Sequence, residues 1–383
     1  MGDLDEHLTG MRAWAREFAE HEVAPRAAEM DRTGRYDASV IDEMFAAGMM
    51  GMLVPSEYGG KGSAALEYVT VVEELARADA STALVMSIHN SLAVGLINGF
   101  ASDEVKARVL PLLATKKVGA FALTELDPGA PTRAEERGGV FVIDGTKMYI
   151  TNGPIADVII VFAVTGKVEV EKGGKTVKKD ELSALLLEDG DAKGLRRENI
   201  GGRLGLTAAP VGRLEFDRVE VPVGSVIGER GAGFRMATRV LDGGRVGAAA
   251  MAVGVAQASV EEARSYATSR ISQGRTISSF QGVQFMIAEI VTKLSAARAL
   301  TYEAAREMDK GAPITKIAAQ AKLFASETAS FVASKALQVH GGSGVVRDLH
   351  PIERLFRDAR VLEIIEGTSE IQKLIVAGCE LKS

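Results

Sequence analysis

One cysteine, Cys379, occurs in 383 residues. An intramolecular disulfide needs two cysteines and a cysteine-based metal centre needs more, so neither is available. A reducing compartment is compatible with that usage. The formal net charge is −6 with no long basic block, which argues against nucleic acid as the main partner. The N-terminus, Met1-Gly2-Asp3-Leu4-Asp5-Glu6, is acidic and unlike a secretory signal. The longest apolar stretch, Ala83 to Phe100, is interrupted by His89, Asn90, Ser91 and Asn98, so it reads as a buried helix, not a membrane span. A cytoplasmic location is the simplest expectation, and a processed organellar form fits the same sequence. His7, His21, His89 and His350 show no metal-ligand spacing, and no metal site is expected. No nucleophile elbow, Walker motif or dinucleotide GxGxxG fingerprint is present. Internal repeats and low-complexity segments are also missing.

What remains is a globular composition, 46% apolar, in a chain long enough for two or three cores. From about Leu4 to Lys117 the pattern is helical. Met11, Trp14, Ala15, Phe18 and Val23 recur at helical spacing until Pro25. Gly59-Gly60-Lys61-Gly62 reads as a plain turn, with Ser63 as cap for the helix through Val69, Val72 and Leu75. At Gly119 the period changes. Val140 to Thr151 predicts two strands joined at Asp144-Gly145, and Val168 to Leu187 predicts a lysine-rich hairpin around Gly173-Gly174. This makes a β domain of about a hundred residues. From Gly231 the chain is helical again, over Val240–Thr268, Gln281–Lys310, Pro313–His340 and about Ser369–Cys379. Four long helices in succession predict a bundle. The expected domains are 1–118, 119–229 and 230–383.

Near the C-terminus stands Ile364-Ile365-Glu366-Gly367-Thr368-Ser369-Glu370-Ile371-Gln372. Thr368 suits the N-cap of the last helix. Glu366, between bulky aliphatic residues and a tight turn, is expected to lose solvation and to rise in pKa, which suits a general base. A plain acidic helix start is the bland alternative.

Residues 366–372 resemble the C-terminal signature of the acyl-CoA dehydrogenases, and the helix–β–bundle order is that of the same family. The resemblance implies a mainly α fold with a central β-barrel-like domain and a four-helix bundle. It also implies FAD, an acyl-CoA substrate of the short- or medium-chain type, an electron-transfer flavoprotein as acceptor and a homotetramer. By resemblance Glu366 abstracts the α-proton, and Gly367, Asp242 and Arg245 line the substrate channel. Asp242 and Arg245 are three apart, so a surface ion pair is the alternative reading. Some relatives carry the base on the helix of Leu241–Arg245. The equivalent position here is Gly244, which leaves the role to Glu366.

The same resemblance assigns cofactor contacts to Phe121, Leu123, Thr124, Tyr149, Thr151, Arg270, Phe280, Gln281, Gln338, Gly341, Gly342, Thr368 and Glu370. Of these, Gln338, Gly341 and Gly342 would approach the FAD of a neighbouring subunit. His340 reads as a packing or hydrogen-bonding histidine. Four departures from the family pattern stand out. Gly129-Ala130-Pro131 replaces Gly-Ser-Asp in a shortened loop; Tyr149 replaces tryptophan; Gly205 replaces serine; Gln273 replaces an aromatic. Arg203 is expected to make ion pairs. A same-fold acyl-CoA oxidase or flavin monooxygenase, or a non-catalytic acyl-CoA-binding homologue, are the rival readings.

Overall fold

The computed structural model describes residues 2–172 and 175–381. Helices α1 (Gly2–Phe18), α2 (Ala24–Thr33), α3 (Ala38–Ala46), α4 (Ala65–Ala78), α5 (Ala80–Ser87), α6 (Gly95–Phe100) and α7 (Asp103–Thr115) form the N-terminal layer. Between α5 and α6, Ile88–Val94 winds as a π-helical stretch. The segment Ala80–Phe100 is long and apolar enough to cross a membrane, but 94% of its most apolar 18-residue window is buried inside the protein. Its polar interruptions are satisfied there. His89 Nδ1 accepts from the Gly119 N–H at 2.9 Å, and Nε2 faces the Leu113 carbonyl at 3.0 Å. Burial pushes the His89 pKa down to about 4, so the ring is neutral, with one donor and one acceptor for these two partners. Asn90 accepts from Leu53 N and donates to the carbonyls of Met49 and Met86. The cap of α4 differs from expectation. Ala64, not Ser63, is the N-cap residue, and the first free N–H groups, of Ala65 and Leu66, donate to the Asp309 carboxylate. A cap from a residue 244 positions away cannot be read locally.

The middle of the chain is one curled sheet. Its strands are β1 (Gly119–Ala122), β2 (Arg133–Arg137), β3 (Val140–Thr151), β4 (Val158–Lys172), β5 (Lys175–Leu187), β6 (Leu195–Asn199), β7 (Val211–Pro222) and β8 (Val226–Ile227). They lie in the order β6-β7-β3-β2-β4-β5-β8, with β1 joining β4 in parallel. The strands alternate between two cores, as a period of two requires. Phe121, Ile160 and Phe162 face the helices, whereas Ala120, Ala122, Ile159 and Val161 face the inside of the curl. The hairpin expected at Asp144-Gly145 does not form. β3 runs through it with a register shift, and the turn lies at Gly138-Gly139 (φ 57° and 88°), where Arg137 pairs with Val140. The reason is tertiary: a Cβ at position 145 would sit 2.6 Å from the Thr132 Cα, so the glycine serves close strand approach. β4 and β5 do pair as a hairpin through Lys172 and Lys175; the Gly173-Gly174 turn lies outside the described residues.

The C-terminal layer contains α8 (Gly233–Ser269), α9 (Gln281–Asp309), α10 (Thr315–His340), α11 (Ile352–Leu362) and α12 (Ser369–Glu380). A small hairpin, β9 (Ile271–Ser272) and β10 (Arg275–Thr276), links α8 to α9. α11 is a helix beyond those expected from spacing, and α10 begins at Thr315, two residues after Pro313, where its start is expected. α8 packs against α10, α4 and α9, and its small residues permit this. A Cβ at Gly254 would meet the Glu73 carbonyl of α4 at 2.3 Å. Each fully buried Leu or Val in the shared core contributes on the order of 1.5–3 kcal/mol.

Candidate active site

Glu366 follows α11 in a turn and has left-handed backbone geometry, φ 54°, beside Gly367 at φ 90°. The turn is clamped from behind. Gln372 Nε2 donates to the carbonyls of Glu366 (3.0 Å) and Gly367 (2.9 Å), and Lys322 Nζ donates to the Gly367 carbonyl at 2.8 Å. Lys322 is fully buried, and burial pushes its pKa down to about 8. Thr368 caps α12 by accepting from the Ile371 N–H, as expected. This holds the main chain so that the Glu366 side chain crosses to α8.

There the carboxylate lies over Gly244, where a Cβ would stand 2.5 Å from Oε2. Oε2 is sealed from solvent and has no hydrogen-bond partner, while the rest of the residue stays partly exposed. Burial pushes the Glu366 pKa up to about 7; the charges of Arg245 and Lys322 offset part of that rise. Among the described residues no hydrogen bond engages the Glu366 N–H. The wall behind Gly244 and Gly247 is made by Leu92, Ser87 and Tyr68, whose hydroxyl donates to Ser87 Oγ at 2.9 Å.

Gly243 and Arg245, on either side of Gly244, line a cavity of about 940 Å³. Asp242 and Arg245 are not a surface pair. They are 7% and 6% exposed, joined at 2.5 Å, and Asp242 also accepts from Thr315 Oγ1 at 2.6 Å. Ser91, Gly95, Gly99 and Met308 continue the lining toward a rim carrying Arg235, Thr238 and Arg239. The arrangement is an open cavity bordered by exposed arginines, with Glu366, whose pKa is pushed up to about 7, against Gly244 between two of its lining residues. Sequence spacing did not single out Lys322 or Tyr68; Gln372 lies inside the 366–372 run, but its clamp on the turn is a contact only the fold shows.

The residues assigned to the cofactor fall into two groups. Thr124 and Tyr149 are neighbours, because the Thr124 carbonyl accepts from Met148 N at 3.0 Å. Tyr149 is 64% exposed at φ 58°, and Thr151 follows on the same strand. Phe121 does not join this shelf: its ring is buried against Phe162, centroids 4.8 Å apart, so only its main chain is available. Leu123 is fixed by its carbonyl, which accepts from Lys147 Nζ at 3.1 Å. The second group sits at the far end of the bundle. Arg270 ends α8, Phe280 and Gln281 start α9, and Gln338, Gly341 and Gly342 end α10. Tyr266 stacks on His340 at 4.3 Å and thereby brings these helix ends together. Arg275, not Arg270, lies over the Phe280 ring, at 4.2 Å. Glu370 is exposed on the first turn of α12. Among the described residues no hydrogen bond or ring contact joins the two groups.

An exposed aromatic ring beside a threonine offers a face and polar groups that fit a planar flavin with polar edges. The departures have local causes. In the shortened loop, Glu125 accepts from Thr132 N and Oγ1 and from Lys147 Nζ (2.5 Å), so the loop closes on itself through a buried lysine. Gly205 lies on the α11 backbone, where a Cβ would be 2.4 Å from the Arg357 carbonyl, so a serine has no room. Gln273, at φ 52°, forms the tip of the β9–β10 turn. Arg203 makes no ion pair among the described residues; it donates to the carbonyls of Ile200, Leu206, Thr207, Ala209 and Val211 and ties the loop into one piece.

Comparison with known proteins agrees with this architecture. Residues 5–117, 120–219 and 231–379 match the acyl-CoA dehydrogenase N-terminal, middle and C-terminal domain models respectively. The chain is 41% identical to the short-chain specific acyl-CoA dehydrogenase of Clostridium acetobutylicum, covering 96% of each protein. It is 40% identical to the mitochondrial short-chain specific acyl-CoA dehydrogenase of Bos taurus, over 100% of this chain and 92% of that one. The solved butyryl-CoA dehydrogenase of Megasphaera elsdenii superposes with a TM-score of 0.91 at 35% identity, covering 98% of each chain.

Proposed function

The chain belongs to the acyl-CoA dehydrogenase family, and from that premise we propose that Glu366 is the base that takes the α-proton of a short acyl-CoA. The reaction is flavin-dependent α,β-dehydrogenation of an acyl-CoA thioester to the trans-2-enoyl-CoA, with FAD as cofactor. Bound FAD supplies the acceptor for the β-hydrogen and its electron pair. One observation carries the assignment of the base: a sealed, unpartnered carboxylate oxygen held over Gly244 beside the cavity. A pKa near 7 leaves much of this acid ionised at neutral pH while keeping it a stronger base than an exposed glutamate. The free Glu366 N–H is positioned to donate to the thioester carbonyl and so acidify the α-carbon. Exclusion of water by the clamped turn strengthens both effects.

Arg235 and Arg239 at the rim supply charge for the phosphates of CoA. A short acyl group is the substrate this reading expects, as the short-chain specific relatives suggest. Thr124, Tyr149 and Thr151 would hold the flavin ring, with Leu123 and Phe121 contributing main-chain atoms and Thr368 and Glu370 lying next to the base. Arg270, Phe280, Gln281, Gln338, Gly341 and Gly342 would hold the rest of an FAD shared with a second copy. That is the reason to expect a homotetramer. An electron-transfer flavoprotein is the acceptor this reading expects. Our division of the chain remains 1–118, 119–229 and 230–383.

The test is anaerobic bleaching of the purified yellow protein by a series of acyl-CoAs. Glu366→Gln is expected to lower the reduction rate by about 10²–10⁴-fold with flavin content unchanged. Unchanged bleaching would remove Glu366 from the chemistry. Rapid peroxide formation in air would instead favour the oxidase reading.

A further inference from the structure

We propose that Glu262, His340 and His350 form a site for one divalent transition-metal ion of the zinc class. Nothing in the dehydrogenation chemistry uses these residues. One ligand atom from each lies within 4.8 Å of the other two. They come from three segments: Glu262 from the last turns of α8, His340 from the end of α10, and His350 from the loop before α11.

His340 carries most of the weight. It is 3% exposed. Its Nδ1 lies 2.8 Å from the Ala336 carbonyl, which can only accept, so the proton sits on Nδ1. Nε2 is then left with a lone pair. It is sealed from solvent and has no partner. A backbone-anchored imidazole with its other nitrogen free is the usual state of a metal-binding histidine. The ring is also held in plane. Tyr266 stacks on it at 4.3 Å and 25°, and the Tyr266 hydroxyl accepts from Ser343 Oγ at 3.0 Å. His350 packs edge-on to both rings, 5.0 Å from His340 and 5.3 Å from Tyr266. Glu262 is four residues before Tyr266, so it shares that helix face.

Two imidazoles and a carboxylate suit zinc-class ions, which accept three protein ligands and one water. Tetrahedral bonds of about 2.0–2.1 Å put ligand atoms roughly 3.3 Å apart, so the three must close by about 1.5 Å at most. The rotatable Glu262 side chain can supply most of that movement. Two further charges act on Glu262, the carboxylate of Glu261 and the guanidinium of Arg354, and they oppose each other. A bound ion would pin the 341–351 loop, whose Val345, Val346 and Leu349 are exposed, to α8.

Untagged holoprotein, treated with EDTA and exchanged into clean buffer, would be titrated with zinc chloride and, separately, cobalt chloride. The expected result is saturation at one equivalent per chain, a tetrahedral visible band with cobalt, and a Tm that rises with the logarithm of zinc concentration. Glu262→Gln and His350→Asn change partly exposed side chains. Each should weaken binding by more than the roughly 10–100-fold seen on losing an outer-shell partner. Circular dichroism would establish that both variants fold. The proposal is overturned if holoprotein shows no saturable binding, or if the folded double variant binds zinc as tightly as the parent.

Discussion

The Glu366 turn and the Tyr149 shelf are both expected to face the same reacting atoms, yet they are built oppositely. The turn is over-determined: two carbonyls are held by Gln372, one of them also by a buried lysine, and the side chain is pressed against a glycine of another helix. The shelf is open, with Tyr149 64% exposed and its supporting loop closed on Glu125 instead of over the ring. One chain suffices to set a proton-transfer geometry. The candidate cofactor surface of the same chain is open, and the remaining candidate contacts lie at the far end of the bundle. Rigidity is placed where, on our proposal, a fraction of an ångström matters to the chemistry; openness is left where a large ligand and a second copy would supply further contacts.

Gly244→Ala attacks the rigid side most directly. A methyl 2.5 Å from Oε2 must displace the carboxylate. A misplacement near 1 Å is expected to slow flavin reduction about 100-fold, with FAD content and the acyl-CoA Kd little changed. Stopped-flow reduction checks this.

Glu366→Gln should also change stability, with a sign set by its raised pKa. The ordinary value is 4.5 and the folded value about 7. Burying the charge therefore costs nothing below pH 4.5, costs progressively more between these values and the full amount above about 7. The variant should match its parent near the low end and be more stable by up to about 3 kcal/mol above neutrality. Thermal melts across that range decide it, and a constant difference would contradict the burial of the acid.

Lys322→Met sharpens the electrostatic part. Losing a cation that lowers the Glu366 pKa should move the acidic limb of the pH–rate profile above about 7, with a rate loss near neutrality of roughly 10-fold. A profile left in place would make Lys322 a structural clamp only. Tyr149→Ala tests the open side and should have the smallest effect. Loss of a stacking face worth ~1 kcal/mol predicts FAD affinity weaker by about fivefold, with reduction restored by excess FAD.

Much of the fold was legible because periodicity is local. The three-layer order, the long bundle helices and the Thr368 cap follow from spacing and residue type alone. Asp144-Gly145 misled because a glycine that permits a turn equally permits a bulge, and the approach of Thr132 decided between them. Asp242 and Arg245 could have been a solvated pair; packing of α8 against α4, α9 and α10 made them a buried wall of the cavity. Phe121 was assigned correctly to a strand, but strand alternation turned its ring into the core.

Composition, periodicity and the run from Glu366 to Gln372 by themselves determined a helix–sheet–bundle chain with an acid just before its last helix, since these depend on neighbours in sequence. Only the tertiary structure decided that the acid is sealed over Gly244, that Lys322 stands behind it, and that Glu262 meets His340 and His350. Desolvation and ligand geometry depend on atoms brought together from distant segments, and no spacing along the chain encodes those distances.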